Sequence, residues 1–319
     1  KEIDRHDLLV GKLLGKGSFN HIFEVKEVRR ESLLDGVETK DCDHSPGSEQ
    51  GTKLVVKYLR PSLRKDRVKF CAAAADLALE AKILSSIKHP NIIRLHGVTQ
   101  GCTASAFLSK GDNSGGYFLL LDKLERTLEQ RIVQWSEERN IVEKGTGKLA
   151  HVRALFTPKK SDYNGVNDFL LRRLLVALEV AEGMKYLHGC NILYRDLKPA
   201  NIGFDSFGKT KIFDFGLATI IDQRTQNFPK GACGTPLYMA PEVARNCKYD
   251  FSADVYSYGI LFWEIFTLDQ PFKKFTQQDM QDKVVYGTVR PKISKSRWPS
   301  ELRDIVVRCW SADPLERKS

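Results

Sequence analysis

The chain has 319 residues, a formal net charge of +10, 42% hydrophobic and 28% charged residues, enough for one large two-lobed unit or two ordinary domains with a real core. No leading apolar run marks a signal peptide, and the most apolar long stretch, Val255 to Leu268, is short and carries Glu264, so no membrane span is expected. The cations are scattered and form no run of five, which reads as a solvated surface tolerant of anionic partners and not as a nucleic-acid site.

The seven cysteines are odd in number and contain no C-x-x-C pair. That pattern argues against a disulfide framework or a zinc site and for a reducing compartment, cytoplasmic or nuclear. The chain starts at Lys1 and stops at Ser319, two residues after Arg317, which predicts a domain excised from a longer protein.

In chain order, the apolar residues of Leu8-Leu9-Val10 and of Ile22-Phe23-Glu24-Val25 flank Gly15-Lys16-Gly17-Ser18-Phe19-Asn20. This predicts a hairpin whose glycine-rich turn either is a plain turn or lets backbone N–H groups approach phosphates. Residues of about 30–52 are charged and aperiodic and read as an insertion. Leu54 to Leu59 is an apolar strand with Lys57 inside it, a lysine that must reach solvent or find anions.

Residues 66–88 predict a helix, with high propensity at Ala72 to Ala75 and an apolar face of Leu77, Leu79, Ile83, Leu84 and Ile87. Glu80 on this helix has no cation four residues away at Asp76 or Leu84, which leaves its partner to another element. Ile92 to Val98 and Tyr117 to Leu121 predict two strands, separated by a polar insertion of about 99–116. Leu124 to Trp135 predicts a short amphipathic helix, followed by a polar, cationic insertion of about 136–167 that holds Lys144, Lys148, Arg153, Lys159 and Lys160.

Phe169 to His188 carries apolar residues at helical spacing, and Lys209 to Phe213 predicts a strand that delivers Asp214. Asp254 to Glu264 predicts a buried helix with an acid near its start. A buried Asp254 needs donors, expected to be the backbone N–H groups of the stretch around Asp196. No internal repeat is visible.

The densest chemistry lies in Tyr194-Arg195-Asp196-Leu197-Lys198-Pro199-Ala200-Asn201, with Asp214-Phe215-Gly216 close behind. Asp196 is suited to accept a proton from a hydroxyl, and Lys198 to neutralise a phosphoryl group in flight. Asn201 and Asp214 offer hard oxygen ligands of the kind Mg²⁺ (or Mn²⁺) takes.

From Leu8 to Arg317, apart from three insertions, the chain resembles the protein kinase catalytic domain. The Asp196-Leu197-Lys198-Pro199-x-Asn201 spelling and Gly234-Thr235-Pro236-Leu237-Tyr238-Met239-Ala240-Pro241-Glu242 resemble the Ser/Thr type. The tail, with Arg290-Pro291, Trp298-Pro299 and Cys309-Trp310 to Arg317, is similar to the tyrosine-kinase-like group.

The resemblance implies an α+β, two-lobed fold over 8–317. Its small lobe (8–125) would hold five antiparallel strands and one helix, above a larger, mainly helical lobe (126–319), with ATP in the cleft. It implies that Leu14, Gly15, Gly17, Ile22, Val55 and Lys57 bind ATP together with a hinge at Leu121 (the gatekeeper), Asp122 and Leu124. Lys57 would grip the α- and β-phosphates and pair with Glu80. Asp196 and Lys198 would act in catalysis, and Asn201 and Asp214 would hold the metal. Thr235 would contact Asp196 and Lys198, and Glu242 would pair with Arg317. Arg195 would receive a regulatory phosphate, for which Thr225 is the expected site; the rival reading is a constitutively ordered loop that needs none.

The implied reaction moves the γ-phosphoryl group of ATP to serine or threonine hydroxyls of protein substrates in signal transduction, with an upstream activating kinase as a further partner. The alternative is a pseudokinase, which predicts the loss of Lys57, Asp196 or Asp214; all three are present. Four features depart from the family pattern: Asn20 at the third glycine of the loop, Tyr194 before Arg195, Gly203 beneath the adenine position, and no hydroxyl residue between Asn227 and Gly234.

Overall fold

A computed structural model of the chain describes residues 1–17, 19–29, 53–99, 116–144, 163–222, 224, 228–295 and 298–317. Two compact units emerge: Lys1–Glu125 with Phe204–Gly216, and Arg126–Gly203 with Leu217–Ser319. The insertions expected at about 30–52 and 99–116 fall outside the described residues, except that Thr99 completes a strand and Gly116 precedes one.

The first unit is built on a sheet with the order β1-β5-β6-β4-β3-β2. Its strands are β1 (Glu2–Ile3), β2 (Leu8–Lys16), β3 (Asn20–Val28), β4 (Leu54–Leu59), β5 (Leu95–Thr99) and β6 (Phe118–Asp122). Five antiparallel strands were expected; the sheet has six, because β1 adds to the edge of β5 in parallel. Two residues are too few to show any alternation in the sequence, so nothing there announces β1.

Cross-strand register sorts the side chains onto two faces. Phe23, Val56 and Leu120 share one row and pack with Ile3, Leu8, Leu54 and Phe118 into the core of the unit. The neighbouring rows, Ile22–Lys57–Leu119 and Glu24–Val55–Leu121, turn to the other face. The helix α1 (Arg67–Ser86) packs against β4 and β5 and buries Ala73, Leu77, Ile83 and Leu84. Its first turn is capped by Asp66, whose side chain accepts from the Lys69 N–H at 3.1 Å.

Gly97 in β5 is fixed by β1. A Cβ at this position would collide with the Ile3 side chain and lie 3.0 Å from the Lys1 carbonyl. Gly97→Val is therefore expected to expel β1 at a cost of about 1–3 kcal/mol. Hydrogen exchange at the Val98 N–H, which donates to the Lys1 carbonyl at 3.0 Å, checks this; unchanged protection would refute it.

The second unit is mainly helical, with α2 (Leu128–Lys144), α3 (Tyr163–Gly189), α4 (Ser252–Thr267) and α5 (Ser300–Cys309) as its longer helices. The sequence placed a helix at Leu124 to Trp135 and the start of the next at Phe169; α2 runs later and longer, and α3 begins earlier. The expected insertion of about 136–167 is thus helix at both ends, and 145–162 lies outside the described residues.

α4 is buried almost all round and packs against α3 and α5. The α5 contact is closest at Gly259, where a Cβ would press on Cys309 Cβ at 2.8 Å. Two guanidiniums close the C-terminus of α4: Arg173 donates to the Phe266 carbonyl at 2.8 Å and Arg139 to the Thr267 carbonyl at 2.6 Å. Both satisfy orphan carbonyls at the negative end of the helix dipole.

Candidate active site

The residues singled out in the sequence fall in both units, and each unit holds its own set. In the first, the face of the sheet that holds Ile22, Val55, Lys57 and Leu121 meets α1 through a buried ion cluster. Lys57 Nζ lies 2.6 and 2.8 Å from the Glu80 carboxylate oxygens and 3.1 Å from Asp214 Oδ1. Lys57 and Glu80 are almost wholly enclosed, whereas the Asp214 side chain is 48% exposed. Burial pulls the Lys57 ammonium down, but the facing carboxylates of Glu80 and Asp214 outweigh it and hold it above its ordinary range.

Glu80 also accepts from the Phe215 N–H at 3.4 Å, so it ties the strand lysine to the segment that carries Asp214. Asp214 has a positive φ of 63°, a conformation that costs a non-glycine residue energy and is held here by its surroundings.

At the end of β6, the N–H groups of Asp122, Lys123 and Glu125 donate to the carbonyls of Arg94, Lys53 and Phe204. Among the described residues the Leu124 N–H has no such partner. The Asp122 side chain is anchored by His96 Nε2 at 2.7 Å and the Arg94 N–H at 3.0 Å. Burial raises the Asp122 carboxyl, yet the His96 contact, the Arg94 N–H and the charge of Lys211 bring it below its ordinary value. The glycine-rich turn closes through the Gly17 N–H on the Asn20 carbonyl at 2.8 Å. Gly15 sits opposite Ile22, and Leu14 is 40% exposed.

In the second unit, Asp196, Lys198 and Thr235 form a closed triangle. Lys198 Nζ donates to Asp196 Oδ2 at 2.8 Å and to Thr235 Oγ1 at 2.7 Å, while the Thr235 hydroxyl donates to Asp196 Oδ1 at 2.7 Å. Asn201 follows in a short 3-10 turn, Pro199–Asn201, and its amide nitrogen donates to the Asp196 carbonyl and Oδ2, each at 2.9 Å. With the nitrogen so engaged, the Asn201 amide oxygen is the atom left for a ligand.

The stretch before Asp196 is held from below. Asp254 Oδ2 accepts from the Tyr194 N–H and Oδ1 from the Arg195 N–H, both at 2.8 Å, which is the role expected of it. His188 Nε2 adds a third contact to Asp254 at 3.0 Å. Arg195 has a φ of 70°. Its Nε donates to the Leu217 carbonyl at 2.6 Å, and its Nη1 lies 3.5 Å from the Tyr249 hydroxyl. Gly234, with φ 98°, passes so close that a Cβ would strike the Arg195 carbonyl. Thr225 lies outside the described residues.

The family described as protein tyrosine and serine/threonine kinase matches residues 8–319. The chain belongs to it. Among relatives of this kinase domain, the dual specificity protein kinase shkD of Dictyostelium discoideum is 30% identical over 322 residues, covering 100% of this chain and 33% of the relative. The probable serine/threonine-protein kinase SIS8 of Arabidopsis thaliana is 27% identical over 321 residues, covering 100% of this chain and 24% of the relative. The serine/threonine-protein kinase STY17 of Arabidopsis thaliana is 41% identical over 150 residues, covering 47% of this chain and 26% of the relative. The chain thus spans a third or less of the length of these relatives. No helix among the described residues is long and apolar enough to cross a membrane.

Sequence reasoning missed the supports of this kinase domain that join distant positions: His96 on Asp122, His188 on Asp254, and Tyr238 on Glu264. No local pattern pairs residues 26 or 66 positions apart; only the presence of buried acids hints that donors must exist.

The last of these pairs is pH-sensitive. The Tyr238 hydroxyl donates to Glu264 Oε2 at 2.6 Å, and Ser257 Oγ donates to the Tyr238 carbonyl at 2.8 Å, so the segment after Thr235 is pinned to α4. Burial pushes the Glu264 carboxyl from its ordinary 4.5 up to about 7, the Tyr238 hydrogen bond pulls it down, and the charge of Glu129 raises it further. A carboxyl raised by folding contributes stability below its unfolded value and loses it as pH climbs through the folded one. The second unit is therefore expected to lose about 2–3 kcal/mol between roughly pH 5 and pH 8 from this group. Glu264→Gln should flatten that part of the profile in urea titrations followed by tryptophan fluorescence; an unchanged slope would refute the assignment.

Proposed function

We propose that this kinase domain transfers the γ-phosphoryl group of ATP to serine and threonine hydroxyls of protein substrates. The observation that carries the reading is the Asp196–Lys198–Thr235 triangle, because it aims a carboxylate and an ammonium at one point from a rigid loop. A hydroxyl presented there would be oriented by Asp196 and give up its proton to it, an effect of about 10²–10⁴-fold. Lys198 would neutralise the transferring phosphoryl group, a charge fixed in advance and needing no reorganisation during the reaction.

On the other unit, Lys57 would hold the nucleotide phosphates, with Glu80 keeping the ammonium in place and charged. Ile22, Val55 and Leu121 lie on the same sheet face and would enclose the adenine, and the Leu124 N–H is suited to receive one of its ring nitrogens. Gly15, Gly17 and Leu14 would cover the phosphates and sugar.

For the metal, the half-exposed Asp214 carboxylate of the first unit and the Asn201 amide oxygen of the second each offer a hard oxygen of the kind Mg²⁺ takes, an ion that keeps waters and substrate phosphate oxygens in its shell. Bound there, the ion would neutralise phosphate charge; Asp214 and Asn201 would hold it. An upstream kinase acting on Thr225, with Arg195 receiving the phosphate, is our proposal for control.

The test is incubation of the full chain with labelled ATP, Mg²⁺ and a generic basic protein, followed by phosphoamino acid analysis. Phosphoserine and phosphothreonine are expected. No transfer, with nucleotide still bound, would replace the reading with a pseudokinase; phosphotyrosine alone would overturn the Ser/Thr assignment.

A further inference from the structure

Two stretches of the second unit, 229–232 and 246–249, are stitched together beside the Asp196 triangle. The Tyr249 N–H donates to the Pro229 carbonyl at 3.2 Å. Lys230 and Lys248 face each other in an antiparallel bridge, and the Ala232 N–H donates to Asn246 Oδ1 at 2.9 Å. Both ends of this short ladder are fixed to the site. Tyr249 is buried, with its hydroxyl 3.5 Å from Arg195 Nη1. At the other end Gly234 passes against the Arg195 carbonyl, and Thr235 bonds to Asp196 and Lys198.

The bridge sets two lysines opposite one another. Like charges directly across an antiparallel pair, with Cβ atoms about 4.5–5.5 Å apart, destabilise it. Both side chains are exposed, and among the described residues no carboxylate forms an ion pair with either. Asp250, the nearest acid in sequence, instead accepts from the Ser252 N–H at 2.8 Å. Upstream in the same segment, Gln223, Thr225, Gln226 and Asn227 bring no acid. A single lysine facing water needs no explanation; two held opposite each other by the main chain give up stability that a bound anion restores.

We propose that Lys230 and Lys248 bind an acidic side chain of the protein substrate and so select serines and threonines flanked by glutamate or aspartate, a role that rests on the phosphotransfer reading above. The ladder sets the range. Thr235 follows Lys230 by five positions, a length of chain that reaches at most about 18 Å. The acid therefore falls within roughly six residues of the acceptor hydroxyl on an extended peptide. An ammonium is a point charge on a flexible stem, so the pair can follow a carboxylate in more than one register.

The test uses the full chain with ATP, Mg²⁺ and serine peptides of neutral background. Glutamate, glutamine, lysine or phosphoserine occupies positions on one flank of the acceptor or the other. The kcat/KM of a glutamate peptide is expected to exceed that of its glutamine counterpart about tenfold, with lysine lowest and the contrast fading as salt is raised. Lys230→Glu together with Lys248→Glu should reverse the order and put lysine above glutamate. The KM for ATP and the melting temperature should stay as in the parent, since both side chains are exposed, and misfolding does not reverse a preference. Equal rates on the glutamate, glutamine and lysine peptides, or an unchanged order in the double variant, would overturn the assignment and leave the phosphotransfer reading standing. So would a gain with phosphoserine alone, which would name previously phosphorylated substrates. Transfer lost from every peptide alike in the double variant would overturn it too, and give the lysines to the chain's own regulatory phosphate. No transfer by the parent to any peptide or to the generic basic protein would remove the phosphotransfer reading and this role with it.

Discussion

Asp196→Asn is expected to lower phosphotransfer by about 10²–10⁴-fold while nucleotide affinity stays within about twofold. Asp196 accepts from three donors, Lys198 Nζ, Thr235 Oγ1 and the Asn201 amide. An ionised carboxylate can satisfy all of them and still take a proton from a substrate hydroxyl. An asparagine has one acceptor oxygen and brings two donors of its own, so it loses the base and sets one N–H against Lys198 or Asn201. The loss should fall on kcat and leave the KM for ATP nearly unchanged, because Lys57, Ile22, Val55 and Leu121 are untouched. Measured kcat within about threefold of the parent would show that Asp196 does not serve as the base.

The second large effect concerns stability. Arg317→Met should destabilise the second unit by about 3–5 kcal/mol, a large share of the roughly 5–15 kcal/mol a domain possesses. Arg317 donates to Glu242 Oε1 at 2.6 Å and Oε2 at 3.0 Å, to the Ser311 carbonyl at 2.8 Å, and lies over the Tyr256 ring at 5.0 Å. Both partners are buried, at 4% and 5% exposure. Removing the guanidinium strands a carboxylate where water does not reach. Replacing both partners, Arg317→Met with Glu242→Leu, should recover part of the loss, since no unpaired charge remains. Trp135, Trp263, Trp298 and Trp310 all belong to this unit, so urea unfolding followed by intrinsic fluorescence reports on it selectively. A single variant within about 1 kcal/mol of the parent would contradict the argument.

How much of this was legible in the sequence depends on the range of the interaction that made each feature. Lys57 inside an apolar strand and Glu80 without a helical neighbour both advertised missing partners, and they found each other. Asp254 advertised donors in the same way. The buried helix α4 was readable because nearly all of it is apolar. α2 was misjudged because its last turns, Ser136 to Lys144, carry polar residues and little apolar periodicity. The early start of α3 is hidden by Asn164, Gly165 and Asn167, none of them strong helix formers. β1 was missed because its place depends on Gly97, far along the chain, having no side chain. The expected phosphosite Thr225 rests on sequence alone.

The Lys57 cluster bears on how an inactive form of this chain should be made. One ammonium faces two carboxylates there, and removing it leaves Glu80 with the influences that raise its carboxyl, burial and the charge of Asp214, and without the lysine that opposes them. Glu80 would then take up a proton, or α1 would draw away from the sheet to wet it. A Lys57→Met allele would accordingly alter the shape of the first unit as well as silence it. In cells, a scaffolding role of that surface would be lost together with catalysis and mistaken for a need for phosphorylation. Asp196→Asn leaves the cluster intact and is the allele that separates the two.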